Sequence, residues 1–120
     1  MEKPDVTWRV FGMYLLVLLL ILISGNANGQ ISVAQFNASW NQDNSVSWVQ
    51  DLSDCKTISY VDISTDPELQ KKHKIAVIPT IIILKDGEEV ARFQADLSFK
   101  MVATRKEVQE EIDNILMSDF

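Results

Sequence analysis

The segment TIIILKDGEEVARFQ, at residues 80–94, restricts the possible folds most strongly. Its opening residues, TIIIL, form an apolar run of strand length, and a strand without polar alternation is one that is buried on both faces. Asp86-Gly87 is a tight-turn signal, and VARFQ can return as an antiparallel strand. The segment therefore predicts a hairpin whose first strand lies inside a sheet that is covered on both sides.

Two earlier segments also have strand character. Residues 31–38, ISVAQFNA, alternate loosely, and residues 57–63, TISYVDI, are rich in β-branched and aromatic side chains. Between them, Val46, Val49 and Leu52 are spaced as one face of a short helix over residues 43–52, with Asp43 or Asn44 as its N-cap.

Two further helices have clear start signals. Asp66 as N-cap and Pro67 at the first helical position predict a short helix that ends near Lys74. Thr104 and Glu107 form a capping box before an amphipathic C-terminal helix. The resulting order is strand, helix, strand, helix, strand, strand, helix. This order predicts an α/β fold, with a four-stranded mixed sheet flanked by helices and with the first two strands parallel.

An uncharged apolar run, FGMYLLVLLLILI, occupies residues 11–23. It is shorter than the roughly 20 residues of a membrane-spanning helix, and small residues follow it, as in a signal peptide. Cleavage and retention as a single membrane anchor both remain open. We therefore expect residues 1–29 to be a signal peptide or an N-terminal hydrophobic helix, and residues 30–120 to be one domain outside the cytoplasm. That domain would be periplasmic, secreted or membrane-anchored.

The net charge and the single histidine argue against two kinds of binding site. The formal net charge is −6, and nucleic-acid binding requires clustered Lys and Arg, so we expect no nucleic-acid partner. His73 is the single histidine and has no cysteine or carboxylate at ligand spacing, so we expect neither a metal site nor another cofactor.

Three segments together resemble the thioredoxin superfamily. Phe36-Asn37-Ala38-Ser39-Trp40 is similar to the end of that family's first core strand, with the tryptophan that precedes the redox motif. Val77-Ile78-Pro79-Thr80 resembles its cis-proline segment, and IIILKDGEEVARFQA resembles the hairpin that follows. The resemblance covers residues 31–117. It implies a minimal thioredoxin-like domain with a cis peptide bond before Pro79.

The chemistry of that family is missing from the corresponding positions. Thioredoxins use two cysteines separated by two residues, and the thiolate is the attacking form. Here the four positions are Asn41, Gln42, Asp43 and Asn44. An amide is neither a nucleophile nor an electron carrier in disulfide exchange. The sequence therefore predicts no catalytic residue at this degenerate motif.

Cys55 is the one thiol in the chain. It precedes the second predicted strand, whereas Asn41 follows the first, so parallel strands would place the two residues at opposite ends of the domain. A buried inert residue, an exposed thiol and an intermolecular disulfide all remain open for Cys55.

The resemblance also implies a peptide groove lined by Trp40, Ile78, Pro79, Thr80 and Phe99. The first hypothesis is a redox-inactive module that binds a protein or peptide partner in this groove, tethered to a membrane if residues 11–23 are retained. One alternative is a thiol-disulfide oxidoreductase that uses Cys55. Another is a structural subunit of an envelope or virion assembly.

Overall fold

The computed structural model describes residues 30–118. The expected signal peptide, anchor or N-terminal hydrophobic helix lies outside this range. Four strands form one sheet: β1 (Ile31–Asn37), β2 (Thr57–Asp62), β3 (Thr80–Lys85) and β4 (Glu88–Gln94). Helix α1 spans Pro67–Lys72, and helix α2 spans Arg105–Met117. Two short 3-10 helices, Ser39–Asn44 and Ser47–Asp51, connect β1 to β2.

The strand order in space is β2-β1-β3-β4. Strands β1 and β2 are parallel, whereas β3 pairs antiparallel with both β1 and β4. The mixed four-stranded sheet expected from the sequence is therefore confirmed. The parallel register aligns Ser32 with Thr57 and Asn37 with Asp62, so both strands run toward the same edge of the domain.

The alternation of β1 sends its side chains to two different cores. Ile31 and Val33 face one core, which is completed by β3, α2 and the second 3-10 helix. Ala34 and Phe36 face the other core, together with Ile75 and Ile78. Because successive side chains of a strand point to opposite faces, Gln35 and Asn37 lie on the same face as Ile31 and Val33. Two polar side chains are thus directed beneath the segment that follows β1.

The helix expected over residues 43–52 is wrong in its type and its limits. Two 3-10 helices replace it, and neither Asp43 nor Asn44 is an N-cap. The reason lies in Gln35, whose Oε1 accepts from the Val46 N–H at 2.7 Å while its Nε2 donates to the Val46 carbonyl at 3.2 Å. The Val46 N–H is thus bonded to Gln35 instead of to a helical carbonyl, and Val46 has an extended conformation, so the helix is interrupted there; the Val46 carbonyl also accepts from the Val49 N–H at 3.4 Å as the second 3-10 helix begins.

The other helix signals are confirmed. The Asp66 side chain accepts from the Leu69 N–H, and Pro67 opens α1. Thr104 and Glu107 form the capping box of α2. The apolar face predicted at Val46, Val49 and Leu52 is buried, although these residues lie in and around a 3-10 helix. Within residues 30–118, no helix is both long enough and apolar enough to cross a membrane.

Candidate functional site

The degenerate motif begins four positions after the last residue of β1 and lies entirely in the first 3-10 helix. Asn41 is only 5% exposed, whereas Gln42 and Asp43 are exposed and Asn44 is half-buried. Asn41 also leaves the helical conformation, at φ −112° and ψ 20°. The first motif position therefore points inward, and the middle two positions face solvent.

Asn41 is the centre of a hydrogen-bonded amide network. Its Nδ2 donates to Asn37 Oδ1 at 3.1 Å and to the Phe99 carbonyl at 3.2 Å. Its Oδ1 accepts from Asn44 Nδ2 at 2.8 Å, and its backbone carbonyl accepts from Asn37 Nδ2 at 3.2 Å. Both amide hydrogens and the amide oxygen are thus in use, which is the condition under which a buried amide stabilises a fold.

Asn37 extends this network into the sheet. It is fully buried at the end of β1, and its Nδ2 also donates to Ser45 Oγ at 2.9 Å. Among the described residues, no buried side-chain nitrogen or oxygen lacks a hydrogen-bond partner. Asn37, Asn41, Asn44 and Ser45 therefore form one satisfied polar cluster, which we call the amide cluster. Asn37 begins an Asn-X-Ser glycosylation sequence, and its burial disfavours modification.

The sequence indicated two members of the amide cluster only as degenerate motif positions, and it gave no role to Asn37, Ser45 or Gln35. The sequence did contain one indication. Gln35 and Asn37 alternate with the residues between them in the same way as Ile31 and Val33, so all four side chains face the same side of the sheet. Polar side chains on a core face require buried partners. Which residues would be the partners depended on the path of the chain after β1.

The loop after β4 is the second component of the site. Asp96 Oδ1 accepts from the Ser98 N–H at 2.9 Å, the Ser98 hydroxyl at 2.6 Å and the Lys100 N–H at 3.1 Å. These bonds, led by that of the Ser98 hydroxyl, hold the pKa of Asp96 below its ordinary value. Phe99 has φ 63°, an uncommon left-handed conformation for a bulky residue. The Asp96 turn and the bond from Asn41 to the Phe99 carbonyl stabilise that conformation.

Trp40 and Phe99 form the exposed aromatic surface of the site, which we call the aromatic pair. Their ring centroids are 5.2 Å apart at an interplanar angle of 90°, an edge-to-face contact. Trp40 is 68% exposed and Phe99 is 41% exposed. Contiguous exposed apolar patches often mark interaction sites, so the aromatic pair is a candidate contact surface. Met101, two residues after Phe99, is not part of this surface, because it packs against the core that contains Ile31.

The residue before Trp40 is also fixed. The Ser39 hydroxyl donates to Asp62 Oδ2, at the end of the neighbouring strand β2. Ser64 donates to the other carboxylate oxygen of Asp62 through its N–H at 2.9 Å and through its hydroxyl at 2.6 Å. The Ser39 bond is the main cause that lowers the pKa of Asp62. The start of the first 3-10 helix is therefore attached to the ends of two parallel strands.

The expected groove residues divide into two groups. The Ile78-Pro79 peptide bond is cis. The side chains of Ile78, Pro79 and Thr80 are buried, so of the five expected groove residues only Trp40 and Phe99 present exposed side chains. The Pro79 carbonyl accepts from the Ala95 N–H at 3.0 Å, which joins the proline segment to the end of β4. The backbone N–H and C=O of Ile78 have no hydrogen-bond partner within residues 30–118.

A shallow cavity of about 230 Å³ adjoins the motif. It lies between the start of the second 3-10 helix and the loop after β4, and its lining includes Asn44, Trp48 and Lys100. Residues 30–118 contain no group of three or more side chains suited to hold a metal ion.

Comparison with known proteins agrees with this architecture. No protein-family model matches the chain. The chain is 36% identical over 56 residues to the chloroplastic thioredoxin Y1 of Arabidopsis thaliana, a match that spans 47% of this chain and about a third, 33%, of that relative. The crystal structure of reduced Schistosoma mansoni thioredoxin pre-protein is similar, with a TM-score of 0.58 at 22% identity, over 80% of this chain and 89% of that one.

A mutant thioredoxin from Halobacterium salinarum gives a TM-score of 0.57 at 17% identity, over 73% of this chain and 76% of that one. Residues 30–118 form a thioredoxin-like domain. The fold that the sequence resemblance implied is thereby confirmed.

In this thioredoxin-like domain, Cys55 lies far from the degenerate motif. It precedes β2, where the Lys56 N–H donates to the Ile31 carbonyl at the start of β1, whereas Asn41 follows the end of β1. Cys55 is partly buried against the core. Burial raises the pKa of its thiol, and the neighbouring Asp54 carboxylate raises it further. The structure thus favours a partly buried thiol with little thiolate character.

His73 also has a structural position in the thioredoxin-like domain. It is the C-cap of α1, and its ring lies 5.3 Å from that of Phe36. Its carbonyl accepts from Arg92 Nη2 at 2.6 Å, and the Lys74 carbonyl accepts from Arg92 Nη1 at 3.1 Å. Arg92 therefore attaches the end of α1 to β4.

Proposed function

We propose that this thioredoxin-like domain binds an extended segment of a protein or peptide partner and does not exchange disulfides with it. The observation that carries the proposal is Asn41. It occupies the first motif position with every amide group hydrogen-bonded inside the domain, while the aromatic pair beside it remains exposed.

The redox half of the proposal rests on chemistry. Disulfide exchange needs a thiolate at the motif, and both thiol positions hold asparagine. Cys55 does not replace them, because it lies at the opposite end of β1 and its pKa is raised. The same two facts argue against an oxidoreductase that uses Cys55.

The proposal that the domain binds a partner rests on the exposed aromatic side chains and on the backbone groups of Ile78. Trp40 and Phe99 offer two aromatic faces, and aromatic side chains are the usual anchors of binding surfaces. The backbone N–H and C=O of Ile78, which have no partner among the described residues, would supply a donor and an acceptor for an extended chain, in the manner of strand addition. Because the Ile78 side chain is buried, that pairing would use its main chain alone.

The location of the domain belongs to the same proposal. The apolar run at residues 11–23 supports export, followed either by release or by retention on a membrane. The domain would then meet its partner outside the cytoplasm, as a periplasmic, secreted or membrane-anchored protein.

A displayed library of random extended peptides tests the binding proposal. Peptides selected on the wild-type chain are measured against Trp40→Ala and Phe99→Ala, with Val90→Ala as a control at an exposed apolar residue of β4. Loss of an aromatic anchor lowers affinity by about 30-fold, equivalent to about 2 kcal/mol. Peptides that bind both aromatic variants and the control equally well would contradict the proposal.

A further inference from the structure

Strand β2 is an open edge of the sheet formed by residues 30–118. Within these residues, the sheet order places it at one end, where it pairs only with β1. None of its six residues is fully buried, and Thr57, Ser59 and Tyr60 are exposed. An edge strand carries a row of unpaired backbone donors and acceptors that can pair with another strand.

The other edge, β4, has the usual protection against such pairing. It carries Glu88, Glu89 and Arg92, and the register between β3 and β4 shifts at Ile83/Leu84. Charged side chains and bulges are the devices by which proteins block edge-to-edge pairing. Strand β2 has neither device along TISYV, the uncharged stretch between Lys56 and Asp62.

The backbone groups that face outward from β2 follow from its pairing with β1. The Ile63 N–H donates to the Asn37 carbonyl. Backbone groups of a strand alternate in direction from one residue to the next, so Ser59 and Val61 also bond toward β1. Ile58 and Tyr60 then direct their N–H and C=O groups away from the sheet.

We propose that β2 pairs antiparallel with β2 of a second copy of this chain, about a two-fold axis at Ser59. Ile58 then lies opposite Tyr60 of the second copy and exchanges both backbone hydrogen bonds with it. The side chain of Lys56, which precedes β2, lies opposite Asp62 of the second copy, whose carboxylate also accepts from Ser39 and Ser64 of its own chain. Because the contact is isologous, each of these pairs forms twice, and the two four-stranded sheets join into one of eight strands.

Charged side chains favour the register centred on Ser59 over the registers that are shifted along the strand. Since the outward backbone groups of β2 belong to Ile58 and Tyr60, whereas the Lys56 N–H bonds to the Ile31 carbonyl of β1, the pairing within β2 can shift only by steps of two. A shift in one direction places Asp62 opposite Asp54 of the second copy, where two carboxylates repel. A shift in the other direction leaves Lys56 opposite Ser64 and removes both ion pairs. Only the register centred on Ser59 pairs opposite charges and also places Ile58 against Tyr60.

Site-specific disulfides in the full chain test this arrangement. In a Cys55→Ser background, Ser59→Cys places two thiols at the two-fold axis. Their Cα atoms would be about 4.5 Å apart, as in a pair without hydrogen bonds, and disulfides accept this separation. The matched control is Thr57→Cys on the same face of β2, whose two copies would be about 14 Å apart along the strands.

The protein is oxidised in a mild detergent with oxidised glutathione and analysed on a non-reducing gel. The proposal predicts a covalent dimer for Ser59→Cys and a monomer for Thr57→Cys. Equal crosslinking of the two variants would overturn the proposal, since association through residues 11–23 brings both thiols together without regard to register. Absence of crosslinking in both would also overturn it, as expected if a segment of the same chain covers β2.

Sedimentation velocity gives a second test that needs no new cysteine. Lys56→Glu places a glutamate opposite Asp62 of the second copy and should lower the dimer association constant about 10-fold, because two attractive cross-strand charge pairs become repulsive. Lys106→Glu, the same charge change at the start of α2, should leave the constant unchanged. Equal association constants for the two variants would overturn the proposal.

Discussion

The Nδ2 atom of Asn41 lies 3.2 Å from the carbonyl oxygen of Phe99, a residue 58 positions later in the chain. This bond joins the motif that would carry redox chemistry in a thioredoxin to the loop that presents an exposed aromatic ring. The side chain at the first motif position is thus a structural connection between the two halves of the proposed binding surface.

Removal of that connection should destabilise the domain. Asn41→Ala leaves the Phe99 carbonyl, Asn37 Oδ1 and Asn44 Nδ2 without their partner. We expect a loss of about 1–3 kcal/mol in the free energy of unfolding, measured by urea denaturation. Gln42→Ala, at the exposed neighbour, should change it by less than about 0.5 kcal/mol. Equal stabilities of the two variants would show that the amide cluster contributes nothing.

A carboxylate at Gln35 should make stability depend on pH. In Gln35→Glu, the Val46 N–H still has an acceptor, but an ionised carboxylate faces the Val46 carbonyl in a buried position. Burial raises the pKa of such a group in the folded state. Relative to wild type, the variant should be nearly as stable below pH about 4, and its deficit should grow as the pH rises through the raised pKa. A deficit independent of pH would contradict this expectation.

The stability that Asp96 contributes should depend on pH in the opposite direction. Its pKa is lowered in the folded state, mainly by the Ser98 hydroxyl. The stabilisation is therefore fully present above its unfolded pKa of about 3.9 and is lost as the pH falls through the lower folded value. The difference in unfolding free energy between wild type and Asp96→Asn should be constant near neutral pH and shrink in acid. A difference that is unchanged down to pH about 2 would argue against the Asp96 turn.

Cys55 should react slowly. Burial and Asp54 raise the pKa of its thiol, and only the thiolate attacks a disulfide reagent. At pH 8 we expect the folded protein to react with an aromatic disulfide reagent more slowly than the urea-unfolded protein does. A folded-state rate equal to or above the unfolded rate would reopen a chemical role for this residue.

The sheet was predictable because its signals are local. The apolar run at residues 80–84, the Asp86-Gly87 turn and the caps at Asp66 and Thr104 each specify an element within a few residues. The order of these elements then restricts the topology to a mixed sheet.

The site was less predictable because its determinants are distant in sequence. Gln35 engages Val46 across 11 residues, and Asn41 engages Phe99 across 58. The spacing of Val46, Val49 and Leu52 correctly indicated a buried face. It could not distinguish an α-helix from two 3-10 helices, since that choice depends on the tertiary bonds of Gln35.

The central claim is that the motif has no redox activity because Asn41 and Asn44 occupy the two positions where a thioredoxin has cysteine. Its most direct test is reduction of insulin disulfides by the wild-type chain, by Cys55→Ser and by Asn41→Cys/Asn44→Cys, each with dithiothreitol as electron donor. The account predicts no reduction above the dithiothreitol background for the first two proteins and a measurable rate for the double variant. Reduction by wild type that is lost in Cys55→Ser would contradict the account and make Cys55 the reactive thiol.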